Sequence, residues 1–127
     1  MSKSSPRPRK SARIRGRVTI EAGGLSGLTE AGADLLEQIA ISGSLSEAAR
    51  QLHFSYRWAW LLVDSMNRAW DEPLVTTATG GRRGGGAALT DFGRNVLAAY
   101  RHLQVQLEHF LDRQTVPFNR VLRGASS

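Results

Sequence analysis

The chain has 127 residues, 41% of them hydrophobic, no cysteine, and a formal net charge of +6. That length suits one modest domain. The missing cysteines exclude a disulfide framework and a thiolate metal site, and no apolar run is long enough to span a bilayer. Seven basic residues, Lys3, Arg7, Arg9, Lys10, Arg13, Arg15 and Arg17, open the chain with no acid among them. The remainder carries ten basic and eleven acidic side chains, so the positive charge is local. A basic end on a near-neutral body points to a polyanion, most simply nucleic acid; the plain alternative is a solubilising tail. No apolar segment follows the basic start, so it is not a secretory signal. A cytoplasmic, nucleoid location without membrane contact is expected.

Residues 1–12 read as a disordered basic tail. From Arg13 to Glu21 the chain alternates, with Ile14, Gly16, Val18 and Ile20 on one face, which predicts a half-buried strand. "GGLSG" breaks it. Thr29 then caps a helix with Leu35, Leu36, Ile39 and Ala40 at helical spacing, ended by Gly43. Ser44 and Glu47 are expected to form a capping box that satisfies two orphan amides, and Leu45, Ala48, Ala49 and Leu52 form the inner face of a second helix. Ser55 caps a third helix, "YRWAWLLVDSMNRAW", with a core stripe of Ala59, Val63, Met66 and Trp70. Trp60 is expected in the core. Two short helices about such a turn are a helix-turn-helix or an ordinary helical hairpin.

Asp71, Glu72 and Pro73 stop the third helix. "LVTTAT" is strand-like, "GGRRGGG" is loose and positive, and "AALT" is a return strand. A helix-turn-helix followed by a β-hairpin is a winged helix. Glycines in the wing let the backbone approach phosphates closely, and Arg82 and Arg83 can enter a narrow minor groove. A nucleotide phosphate loop is excluded, because neither G-x-x-x-x-G-K-[ST] nor G-x-G-x-x-G is present.

Thr90 caps a last helix, expected over residues 91–113. Phe92, Val96, Tyr100, Leu103, Leu107 and Phe110 recur at spacings of three and four. Their domain can cover only part of so long a seam. The expectation is a homodimer through Val96, Tyr100, Leu103, Leu107 and Phe110; the alternative is a helix folded back on its own domain. The fold class is mostly α with a small β wing, spanning 13–113, with a C-terminal tail over 114–127.

No catalytic set is visible. His53, His102 and His109 are the only histidines, and none has metal-ligand spacing with another. The chain does not read as an enzyme, and no cofactor or metal is expected. The candidate DNA contacts are Ser44, Ser46, Ser55, Tyr56, Arg57 and Trp58, with Thr79, Gly80, Gly81, Arg82, Arg83, Gly84 and Gly85 in the wing. Arg57 can meet a base edge or a phosphate. Tyr56 and Ser55 suit phosphate, and Ser55 can simply cap. Trp58 can touch sugar or a thymine methyl, or lie half buried. Ser44 and Ser46 stand at a helix start whose amides can hold a phosphate.

The runs "IAISGSLSEAARQLHFSYRWAWLLVDSMNRA" and "VTTATGGRRGGGAALTDFGRNVLAAYRHL" resemble the N-terminal DNA-binding domain of the molybdate-responsive ModE regulators. The resemblance to LysR-type helix-turn-helix domains is more distant. It implies a dimeric bacterial winged helix that binds inverted-repeat operators in double-stranded DNA. The positions matching Ser55, Tyr56 and Arg57 open the recognition helix, and those matching Thr79 to Gly86 form the wing. Full-length members carry a C-terminal pair of small β-barrel domains that bind molybdate. Nothing between Thr115 and Ser127 resembles them, so this chain is not expected to bind molybdate. The function expected is a sequence-specific dimeric transcriptional regulator; the alternative is a nonspecific nucleoid or accessory protein acting through a partner.

Overall fold

The computed structural model describes residues 10–78 and 86–124. The elements in chain order are β1 (Ile20–Ala22), β2 (Leu25–Leu28), α1 (Glu30–Ser42), α2 (Leu45–Gln51), α3 (Tyr56–Ala69), β3 (Val75–Thr77), β4 (Ala87–Leu89) and α4 (Asp91–Leu122). The strands make two antiparallel pairs, β1 with β2 and β3 with β4. Among the described residues, no helix is long and apolar enough to cross a membrane.

The chain forms two compact units, Arg17–Gln104 and a smaller one of the residues up to Gly16 with those from Val105. In the larger unit, Leu28, Leu35, Leu36, Ile39, Leu74 and Tyr100 are fully buried. Each such aliphatic side chain contributes roughly 1.5–3 kcal/mol. Local chemistry sets the helix ends. Thr29 Oγ1 accepts from Gly32 N at 3.1 Å, and Thr90 Oγ1 accepts from Gly93 N at 2.8 Å. Gly43 closes α1 in the left-handed conformation, φ 69°, where a side chain would be strained.

Several expectations are corrected. The strand expected over Arg13–Glu21 is confined to its end, and its partner is the "LSGL" segment read as a break. Ile14 and Val18 are nevertheless half-buried while Arg13, Arg15, Arg17 and Thr19 are exposed. A period of two reports an extended chain with one face covered; it does not say whether a strand or a helix covers it. Ala40 is exposed and Ala33 takes the buried position in α1.

Tyr100, expected in a dimer seam, is buried in its own unit, its hydroxyl donating to Val18 O at 2.6 Å. Burial and the nearby Glu30 charge raise its pKa. Val96 packs against the same core, and Phe92 meets Trp70 edge to face. Arg101 fixes α4 to α1, donating to Asp34 at 3.0 Å and Glu37 at 2.6 Å. Burial works against its charge, but the two carboxylates more than offset that and raise its pKa.

In the smaller unit α4 continues to Leu122, past the expected end near Arg113 and through Pro117. A proline there removes one helical hydrogen bond. An N-terminal segment packs against this stretch. Asn119 Nδ2 donates to Ala12 O at 3.1 Å, and Ala12 N donates to Asn119 Oδ1 at 2.7 Å. Ala12, expected in the tail, is therefore held at both backbone polar groups. A Cβ on Gly16 would lie 2.9 Å from Leu111 Cδ1 and 3.2 Å from Leu107 Cδ2. Leu107 is thus partly covered within its own unit.

Candidate nucleic-acid interface

The turn between α2 and α3 is built by the backbone. His53 N donates to Arg50 O at 3.2 Å and Phe54 N donates to Ala49 O at 2.9 Å. That pair of bonds is the helix-ending motif in which glycine usually takes the left-handed position. Here His53 takes it, at φ 59°. Ser55 then opens α3, its Oγ accepting from Trp58 N at 3.0 Å. Ser44 caps α2 in the same way, through Glu47 N at 3.1 Å.

The capping box is only half formed. The Glu47 carboxylate turns to Arg50 and Gln51, and Ser44 N donates to Ser42 Oγ instead. Bonds to Arg50 and then Gln51 lower the Glu47 pKa, and Glu47 raises that of Arg50. The oxygens of Ser44 and Ser55 are thus engaged in caps, whereas Ser46 is exposed with no cap to make.

The start of α3 faces solvent. Tyr56, Arg57 and Trp58 are all exposed, and Arg57 has no ion-pair partner among the described residues. Arg50 and Arg68, by contrast, are paired with Glu47 and Asp64. Trp60 is 50% exposed, against the expectation of a core position. It follows the fully buried Ala59, and one residue turns the helix by about 100°. Leu61, which carries no sequence signal of exposure, is exposed four residues after Arg57, and so on the same face. Trp58 and Leu61 also border an apolar cleft of about 430 Å³ between α3 and β2, lined by Leu28, Leu62 and Met66 with Ser26 and Ser65.

The wing hairpin is present as β3 and β4, in register Val75 with Leu89 and Thr77 with Ala87. Ala78 N donates to Gly86 O at 2.9 Å. Thr79, Gly80, Gly81, Arg82, Arg83, Gly84 and Gly85 lie outside the described residues. The base of the hairpin is fastened at three places. Ala87 N donates to Gly43 O at 3.0 Å, in the turn before α2. Asn67 of α3 bonds to Leu74 and Val75. Thr90 N donates to Leu74 O at 2.9 Å. Gly93 sits so close to that carbonyl that a Cβ would overlap it. Asn67 and Gly93 carry no local signal in the sequence, because their partners are set by the tertiary fold.

Two short helices about a tight turn, followed by a hairpin fastened to the second of them, define a winged helix-turn-helix. The same fold is seen in the CbnR_DBD chain of a solved CbnR_DBD–DNA complex. That chain is 19% identical, with a TM-score of 0.57, and the match covers 71% of this chain and 98% of that one.

The sequence relatives are more particular. The molybdenum transport protein ModE of Azotobacter vinelandii is 38% identical over 112 residues, 88% of this chain and 42% of that protein. The DNA-binding transcriptional dual regulator ModE of Escherichia coli K12 is 40% identical over 96 residues, 72% of this chain and 37% of that protein. The molybdenum-pterin-binding protein MopB of Rhodobacter capsulatus is 41% identical over 96 residues. No family model matches the chain. It is a ModE-like winged-helix chain, and it spans about two fifths of the length of these relatives.

Proposed function

We propose that the chain is a transcriptional regulator that binds an inverted-repeat operator in double-stranded DNA as a homodimer. One observation carries this reading: the capped start of α3 presents the exposed Arg57, which has no ion-pair partner among the described residues, on the helix whose Asn67 anchors the hairpin. In a winged helix that end of α3 enters the major groove, and Arg57 reads a guanine edge. The similarity to a relative named as a DNA-binding transcriptional dual regulator supports the same reading. In this reading Ser46 and Tyr56 contact phosphate, and Arg82 and Arg83 are the wing's minor-groove contacts.

The dimer is supported by the apolar side chains that α4 leaves exposed. Leu103 is 44% and Phe110 49% exposed. They keep the partner-facing role, whereas Val96 and Tyr100 serve their own core. Within this reading the described residues do not themselves bind molybdate. An oxyanion site needs several converging donors, and the cleft beside α3 is apolar and carries no cation.

Selection of bound DNA from a random pool, followed by competition against nonspecific duplex, tests the proposal. A specific regulator yields one inverted repeat and prefers it by about 10³-fold or more at physiological salt. A pool that enriches no repeat rejects it in favour of a nonspecific accessory protein.

A further inference from the structure

Resting on that reading, we infer that Trp58 and Leu61 recognise thymine methyl groups, so that each half-site is read by apolar contact beside the polar contact of Arg57. Helix α3 begins at Tyr56, which places Arg57, Trp58 and Leu61 within its first two turns. That is the part a recognition helix offers to base edges. The Ser55 cap bonds to Trp58 N and holds this turn in place.

Two positions further along α3 are already engaged. Met66 is buried in the core that contains Leu28 of β2, and Asn67 is bonded to the β3 strand. The face left open toward solvent has Arg57 at one end and the Asp64–Arg68 pair at the other, with Trp60 also exposed beside it. Between these charges Trp58 is 47% exposed and Leu61 41% exposed. Leucine makes no hydrogen bond, so it cannot read the donors and acceptors of guanine, cytosine or adenine. Pressed against them it would strip their water and return nothing. The major groove offers one apolar group, the C5 methyl of thymine. A leucine and a tryptophan set one turn apart on the docking face fit one or two such methyls per half-site. The apolar contact continues the DNA interface already placed on Arg57.

The test uses the full chain and the site recovered by selection. Each thymine of the half-site is replaced in turn by deoxyuridine, which removes only the methyl. Binding is measured for the wild type and for Trp58→Ala and Leu61→Asn. The expected loss is about fourfold at each contacted thymine, the value of one buried methyl. Each variant should lose the response at its own thymine and bind the two bases equally there. The dependence on salt should not change, since no phosphate contact is touched. Both side chains are exposed, and circular dichroism confirms that the variants are folded. Uracil without effect at every position, or a half-site lacking thymine, overturns this inference and leaves the regulator reading standing. Variants that keep the full wild-type response to uracil also overturn it. Failure to select any site overturns both.

Discussion

Asn67 of α3 holds Val75 at both of its backbone polar groups, Nδ2 donating to Val75 O at 2.9 Å and Oδ1 accepting from Val75 N at 3.2 Å. Oδ1 also accepts from Leu74 N at 2.8 Å. One side chain thereby stands in for a strand neighbour and sets the β3–β4 hairpin against α3. Asn67→Ala should cost about 2–3 kcal/mol, because partly buried backbone groups lose their partners. Asn67→Asp keeps the acceptor but sets a carboxylate oxygen against Val75 O, so it too should fall below wild type. Urea unfolding of the three proteins checks the order; Ala and Asp variants as stable as wild type would show that the clasp is a spectator.

His53 sits at φ 59°, where a Cβ is strained. His53→Gly should therefore stabilise the chain by about 0.5–1 kcal/mol, the relief of strain exceeding the entropy glycine adds to the unfolded state. Thermal melts of the two proteins decide this. A lower melting temperature would mean that the imidazole makes a stabilising contact worth more than its strain.

These two residues also show where the sequence stops being legible. Caps at Thr29, Ser55 and Thr90 are readable because cap and amide lie three residues apart. The Ser44 cap was readable too, but its reciprocal partner was not: Ser42 Oγ and Arg50 compete for the groups a capping box would pair. Asn67 and Gly93 answer to partners that only the packed fold brings near. The helix-turn-helix was legible from spacing and the wing from its β-branched flanks. The exposure of Leu61 and Trp60 was not, since hydrophobicity marks a residue as apolar without saying whether anything covers it.

Arg57 tests the polar half of readout. Arg57→Ala should reduce discrimination at one position of each half-site by about 1–3 kcal/mol. Equal weakening on all sequences would make Arg57 a phosphate contact. Replacing Arg82 and Arg83 together should weaken every sequence and make the salt dependence shallower by up to about two charges.

Glu47 gives a pH signature. Its pKa is lowered by Arg50 and then Gln51, from an ordinary value of 4.5. A carboxylate depressed in the folded state adds stability above its unfolded pKa and loses it as pH falls through the folded value. Wild-type stability should therefore fall in acid more steeply than that of Glu47→Gln, with the difference confined to the region below about pH 4.5. The pair is exposed, so the effect should be small. Identical acid limbs in the two unfolding curves would show that solvent screens it out.

The last test concerns assembly. Leu103→Glu and, separately, Phe110→Glu place a charge on exposed apolar positions of α4. Neither is in the buried core, so each variant should fold. A charge that loses water on pairing costs several kcal/mol, so each variant should run as a monomer by light scattering. Affinity for an isolated half-site should persist, and the gain from linking two half-sites should vanish, because that gain is one of effective concentration. Tyr100→Phe is the control. It removes the bond to Val18 O and should lower stability by about 1 kcal/mol while leaving the dimer intact. A wild-type chain that stays monomeric on its selected DNA would reject the dimer.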